Sequence, residues 1–140
     1  MSQEPTTPDL EERFRRSVEA MARGDSNDAV AIFTERAVFD MSPVGIGIFE
    51  GRDAIRDLFA DWVDPYEEYK AECEEFRDLG NATTFAVVLH GGRPAGASGF
   101  VDVRHSYTMT WTYGQVERVT GNADINAARA AAERLAEERG

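Results

Sequence analysis

His105 is the residue in this chain best placed by its neighbours to do chemistry. From Val101 to Tyr113 the odd positions Val101, Val103, His105, Tyr107, Met109, Trp111 and Tyr113 are apolar or aromatic. The even positions Asp102, Arg104, Ser106, Thr108, Thr110 and Thr112 are polar. A period of two is that of a strand with one dry, aromatic face and one wet, threonine-rich face. An imidazole on the dry face titrates near neutral pH and serves as acid, base or hydrogen-bond donor to a ligand. The competing reading is a packed core histidine. Tyr107 and Trp111 add flat rings with one polar handle each, suited either to stacking on a ligand or to plain core packing.

Asp40 is the second candidate, because it lies between Phe39 and Met41 and just before Ser42-Pro43. Turned inward by a bulge there, its charged form would be disfavoured and its pKa raised toward that of a general base. On the wet face it would only cap a neighbouring amide. Asn122 and Arg118, on a later strand, offer hydrogen bonds to a ligand carbonyl. His90 is out of phase with Phe85, Val87 and Leu89, so it is expected on the opposite face from His105 or at the strand end, and no metal site is expected from the pair. Cys73 is the only cysteine, which excludes an intrachain disulfide and gives no zinc-site spacing.

These residues need elements to hold them. Residues 1–7 read as a disordered tail and 8–138 as one domain. Thr7-Pro8-Asp9 starts a helix whose stripe is Leu10, Phe14, Val18 and Met21, and Gly24 ends it. A short helix from about Asn27 to Phe33 runs into a strand, Ala37–Ser42, followed by a glycine-bearing loop or bulged extension, Val44–Phe49. A third helix, Asp53 to about Val63, shows Ile55, Leu58, Phe59 and Trp62, and Asp64-Pro65 stops it. Extended segments follow at Glu67–Leu79, Thr83–His90, Gly99–Tyr113 and Gln115–Gly121, the last two joined at Tyr113-Gly114 and the middle pair by a hairpin loop, Gly91–Ser98. Asp124 caps a last helix, about Ile125–Glu138. Helices followed by a bent, mostly antiparallel sheet make an α+β cone, its open end lined by Phe14, Met21, Phe59, Trp62, Tyr107, Met109 and Trp111.

The 140 residues suit one domain with a real core. A formal net charge of −11 speaks against nucleic acid and anionic membrane as partners. No basic leader followed by an apolar run opens the chain, so a cytoplasmic location is expected.

Three stretches resemble a SnoaL-like domain of the nuclear transport factor 2-like superfamily. They are Ala29-Val30-Ala31-Ile32-Phe33 leading into Ala37-Val38-Phe39, then Phe49-Glu50-Gly51-Arg52-Asp53-Ala54-Ile55, then Gly114-Gln115-Val116 with Asp124 beyond. The resemblance implies a cone-shaped fold with a C-terminal helix, a homodimer paired through the sheet face and no cofactor. Activities in such proteins range over isomerases, dehydratases, epoxide hydrolases and polyketide cyclases, with non-catalytic modules beside them. Their acid patterns are missing here. Where relatives similar to ketosteroid isomerase carry a base aspartate before Pro-Val-Gly, this chain has Ser42 before Pro43-Val44-Gly45. Their tyrosine and neutral acid correspond to Ser17 and Met109. The epoxide-hydrolase Arg-x-Asp falls on Val87-Val88-Leu89, and the late acid of the cyclases on Gly121 or Asn122. The expectation is therefore a protein that binds a small apolar molecule through Phe14, Met41, Phe59, Trp62, Tyr107, Met109, Trp111 and Asn122. Two alternatives stand beside it: a cofactor-free isomerase, dehydratase or cyclase using Asp40 or His105, and a non-catalytic dimerisation module.

Overall fold

The computed structural model describes residues 7–140, so the expected tail lies outside the described residues apart from Thr7. Helix α1 (Thr7–Ala22) is followed by one turn of helix, α2 (Ser26–Ala29), which Asp25 caps by accepting from the Asp28 amide. A 3-10 turn, Val30–Ile32, leads into β1 (Phe33–Asp40). The expected second helix thus ends early. Its buried residues, Ala29, Val30 and Ile32, anchor the start of the strand instead.

The glycine-bearing segment contains a 3-10 turn at Ser42–Val44 and a short strand, β2 (Ile48–Glu50), antiparallel to β1. Helix α3 (Arg52–Val63) begins after Gly51, whose φ of 92° suits a residue without Cβ. The Arg52 guanidinium donates to the Phe33 carbonyl from Nη2 at 2.6 Å and from Nε at 3.2 Å. The Gly-Arg pair therefore bolts the start of α3 to the start of β1.

Four strands follow: β3 (Tyr66–Gly80), β4 (Thr83–Pro94), β5 (Val101–Thr112) and β6 (Gln115–Asn122). The sheet order is β2-β1-β6-β5-β4-β3, antiparallel except for β1 beside β6. Tyr113 and Gly114 have φ of 47° and 80°, the double positive φ of a tight hairpin turn. Three register shifts between β3 and β4 add bend; α1 packs on β3, and α3 on β1 and β2.

The strand β4 runs four residues beyond the expected end at His90, and Gly91 and Gly92 are part of it. A Cβ on Gly92 would stand 2.1 Å from the Glu68 carbonyl oxygen, so glycine is what lets β3 and β4 approach there. The loop shrinks to the residues between Pro94 and Val101.

Apolar residues on both faces of β4 are buried. Phe85 and Val87 pack on the outer side against Ala128 and Ala132 of helix α4 (Ile125–Glu138), which Asp124 caps by accepting from the Ala127 amide. Ala86 and Val88 belong to the main core with Leu10, Phe14, Phe33, Phe39, Ile55, Phe59 and Met109. Phe85 and Val87 therefore mark the outer face, and His90, expected out of phase with them, lies inside the cone with His105.

Candidate functional site: a cavity headed by two tyrosines and two histidines

The space between the helices and the sheet encloses about 50 Å³. Its walls are Phe14, Ser17, Val18 and Met21 from α1, Leu58, Phe59 and Trp62 from α3, and Ile32, Phe33, Phe39 and Met41 around β1. The sheet supplies Ala71, Val88, His90, Tyr107, Met109 and Val119. Nearly all of this surface is hydrocarbon, aromatic or thioether.

The polar equipment is concentrated at one end. The Tyr69 hydroxyl lies 2.5 Å from Nδ1 of His90, and the Tyr107 hydroxyl lies 2.8 Å from its Nε2. Burial, helped by the neighbouring His105, lowers the His90 pKa from 6.5 to about 3. The ring is therefore neutral at pH 7 and carries one N–H. One tyrosine donates to it, and the other accepts from it and keeps its own O–H for a third group. Burial raises the pKa of both phenols, so neither ionises near neutrality.

His105 sits beside this chain, its ring 5.8 Å from His90 and 5.7 Å from Trp62. Trp62 packs edge-on against both imidazoles. Burial lowers the His105 pKa as well. Nδ1 of His105 and Nε1 of Trp62 are buried without a hydrogen-bond partner of good geometry. Among the described residues no group of three His, Cys, Asp or Glu could hold a metal ion, so the two imidazoles lack a third ligand.

The structure places Phe14, Met41, Phe59, Trp62, Tyr107 and Met109 on the cavity wall. Three other residues are corrected. Asp40 faces out of the cone, because Phe39 and Met41 on either side take the inward positions. Its carboxylate accepts from the Ser42 amide and hydroxyl at 2.9 and 2.6 Å and from Arg118 at 3.2 Å. Those Ser42 bonds, with Arg118, hold its pKa below the ordinary value, the opposite of what a general base needs.

Asn122 also turns away, its side chain accepting from the Asp124 amide. Trp111 is buried but lines no part of the cavity, and its indole donates to Thr84 at 2.8 Å. Of the family positions, Ser17 lies on the wall with its hydroxyl donating to the Ala29 carbonyl, and Met109 lies there too. Gly121 faces Met41: a Cβ there would stand 2.2 Å from the Met41 sulfur.

The residues that sequence reasoning missed are His90 as a cone residue and Tyr69. A signal for Tyr69 exists, since Tyr69, Ala71 and Cys73 alternate with Lys70, Glu72 and Glu74. The register sets Ala71 opposite His90 and Tyr69 opposite Gly92, on the cone side.

Fold and site together define a helix-capped cone with an apolar chamber. The chain belongs to the SnoaL-like domain family, whose model matches residues 14–119. Among solved structures it is similar to SalBIII, an epoxide hydrolase/cyclase-like enzyme in pyran ring formation in the polyether salinomycin. The identity is 20%, over 85% of this chain and 93% of that one, with a TM-score of 0.70. It is also similar to a hypothetical protein with a ketosteroid isomerase-like fold from Catenulispora acidiphila, in complex with trimethylamine, at 14% identity over 90% and 95% with a TM-score of 0.70. TerC, co-crystallised with polyporic acid, matches at 13% identity over 89% and 98%, again with a TM-score of 0.70. At these identities the likeness is one of fold. No curated protein matches the chain significantly. No helix among the described residues is long and apolar enough to cross a membrane.

Proposed function

We propose that the chain binds a small, uncharged, largely apolar molecule carrying an oxygen function, such as an aromatic ketone or phenol. The observation behind this reading is the Tyr69–His90–Tyr107 chain at the head of an otherwise apolar chamber. A neutral imidazole between two phenols carries no fixed charge, so an ionic ligand finds no counter-ion there. A carbonyl or hydroxyl oxygen beside Tyr107 receives the O–H that the relay leaves free. An aromatic ring needs about 150 Å³, more than the chamber now encloses. Entry therefore requires Met21, Leu58 or Trp62, all only partly buried, to swing aside. The methionines Met21, Met41 and Met109 can re-pack around a guest.

The test is a thermal-shift series with aromatic ketones, phenols and matched hydrocarbons on the wild type, Trp62→Ala and Tyr107→Phe. Saturable stabilisation that Tyr107→Phe weakens only for the oxygen-bearing ligands supports the reading. No stabilisation by any of them, in the wild type or in the widened Trp62→Ala chamber, overturns it.

A second reading is favoured by the unpartnered Nδ1 of His105. In it His105, not Asp40, moves a proton in a cofactor-free isomerisation, dehydration or cyclisation of such a ketone. Turnover that vanishes in His105→Ala while binding persists would select it over simple binding.

A further inference from the structure

By itself the Tyr69–His90–Tyr107 chain can run in two directions. A neutral imidazole donates from one ring nitrogen and accepts at the other. If Nδ1 carries the hydrogen, it donates to the Tyr69 oxygen, and Tyr107 donates to Nε2. If Nε2 carries it, Tyr69 donates to Nδ1 and the Tyr107 oxygen accepts. Only in the second case does Tyr107 keep a free O–H.

Trp62 tips this balance. It stands in the last turn of α3, its ring edge-on to His90 at 5.6 Å. Its indole N–H can only donate, and it is buried without a partner of good hydrogen-bond geometry. The oxygen it acts on is that of Tyr69, where the N–H works against the rise that burial imposes on the phenol pKa. With the hydrogen on Nδ1, the Tyr69 oxygen would face two N–H groups. Its own O–H would find no acceptor in hydrogen-bond geometry among the described residues, and a stranded donor in a buried setting is costly. With the hydrogen on Nε2, Trp62 points its donor at Tyr69, Tyr69 donates to His90, and His90 donates to Tyr107. The hydrogen left over is that of Tyr107, which lines the chamber, as Tyr69 does not.

We infer that Trp62 is a positioning residue: through Tyr69 it holds His90 as the Nε2–H tautomer, so Tyr107 presents a one-way donor to the chamber and the ligand group placed there is a carbonyl. This rests on the ligand reading above and narrows it. The Tyr107 oxygen is already occupied by His90, so a ligand O–H laid against it is left unpaired. Ser17, the other hydroxyl on the wall, spends its hydrogen on the Ala29 carbonyl and adds no second donor. An aromatic ketone or a quinone meets Tyr107 with a lone pair. The matched alcohol or phenol brings a hydrogen that Tyr107 cannot take up.

The test uses the full chain with nitrogen-15 in its histidines. Long-range proton–nitrogen NMR reads which ring nitrogen of His90 is protonated, with His90→Gln identifying the signals. Calorimetric titration then compares an aromatic ketone with its matched alcohol. The wild type should show Nε2 protonated and Nδ1 bare, and should bind the ketone about tenfold more tightly than the alcohol. Trp62→Phe keeps an aromatic ring in place and removes the N–H. His90 should then populate both tautomers, and the preference for the ketone should shrink. A packing role alone for Trp62 would leave the tautomer as it is in the wild type, and that result overturns the inference. So does Nδ1 protonated in the wild type, with or without a ligand. An alcohol bound as tightly as the ketone overturns the choice of a carbonyl. The NMR arm needs no ligand, so a chain that binds neither compound overturns the ligand reading, while the assignment of Trp62 stands or falls on the tautomer.

Discussion

His90 Nε2 and the Tyr107 hydroxyl stand 2.8 Å apart in the cavity wall, with Tyr69 closing on the other ring nitrogen. The two bonds cannot be alike, since a neutral imidazole donates once and accepts once. The head of the cavity is thus a polar device whose single spare proton can be offered from either end.

Tyr107→Phe removes one end of that device and leaves His90 Nε2 buried without a partner. The expected loss of stability is about 1–3 kcal/mol. A ligand that relies on the Tyr107 O–H should bind about tenfold more weakly, and a hydrocarbon of the same shape equally well. Chemical denaturation and calorimetric titration read the two effects separately. Equal losses for both ligands would show that Tyr107 contributes shape alone.

The depressed pKa of His90 makes stability depend on pH with a definite sign. Unfolded, the ring titrates near 6.5, and folded near 3, so the unfolded chain takes up the proton first. The contribution of the neutral ring is complete above pH 6.5 and is lost as the pH falls through the window from 6.5 toward 3. Between pH 6.5 and 5 this one group should remove roughly 1.5 kcal/mol. His105, whose pKa is also lowered, acts in the same direction. Denaturation curves of the wild type and His90→Gln should therefore converge on acidification. Parallel curves would mean that His90 is charged in the folded chain.

Asp40→Asn should leave ligand affinity and any turnover unchanged, because the carboxylate bonds to Ser42 and Arg118 outside the cone. The partly exposed Arg118 pair accounts for about 1 kcal/mol of stability or less. His105→Ala, by contrast, should alter ligand affinity or turnover, since its ring joins His90 and Trp62 at the polar end. A large effect of Asp40→Asn on ligand affinity or turnover would return the carboxylate to the cavity.

Gly92→Ala should cost at least about 2 kcal/mol, read as a fall in Tm, because its Cβ would drive into the Glu68 carbonyl. Gly96→Ala is the control. It meets nothing within 4 Å and costs only the strain of a φ of 80°, about 1 kcal/mol.

Much of the fold was legible because the chain alternates cleanly where one sheet face is dry. In β5 the pattern assigned Tyr107 and Met109 to the cone and Thr108 to the outer face, where all three stand. In β4 the same reasoning failed for a physical reason: α4 covers its outer face, so apolar residues occur on both sides and their phase does not tell inside from outside. His90 was misassigned for that reason. Asp40 was readable, since Phe39 and Met41 had already claimed the inward positions. Trp111 keeps the place in the main core that the alternation assigns it, but it lies beyond the end of the cavity, and how far a cavity extends along a strand is not written in its period. The Tyr69–His90–Tyr107 chain joins three strands, and no local pattern announces such a meeting.

The absent side chain at Gly121 has a consequence for what this scaffold could become. The Met41 sulfur occupies the volume that any Cβ at position 121 would claim, and the Tyr107 ring lies close behind it. An acid introduced there would have to evict a thioether from the chamber wall. That thioether is the flexible end of its side chain, so Gly121→Asp would push it further into the chamber and shrink the space left for a ligand. One sulfur atom thus sets how much ligand space acid-driven chemistry at that strand would consume.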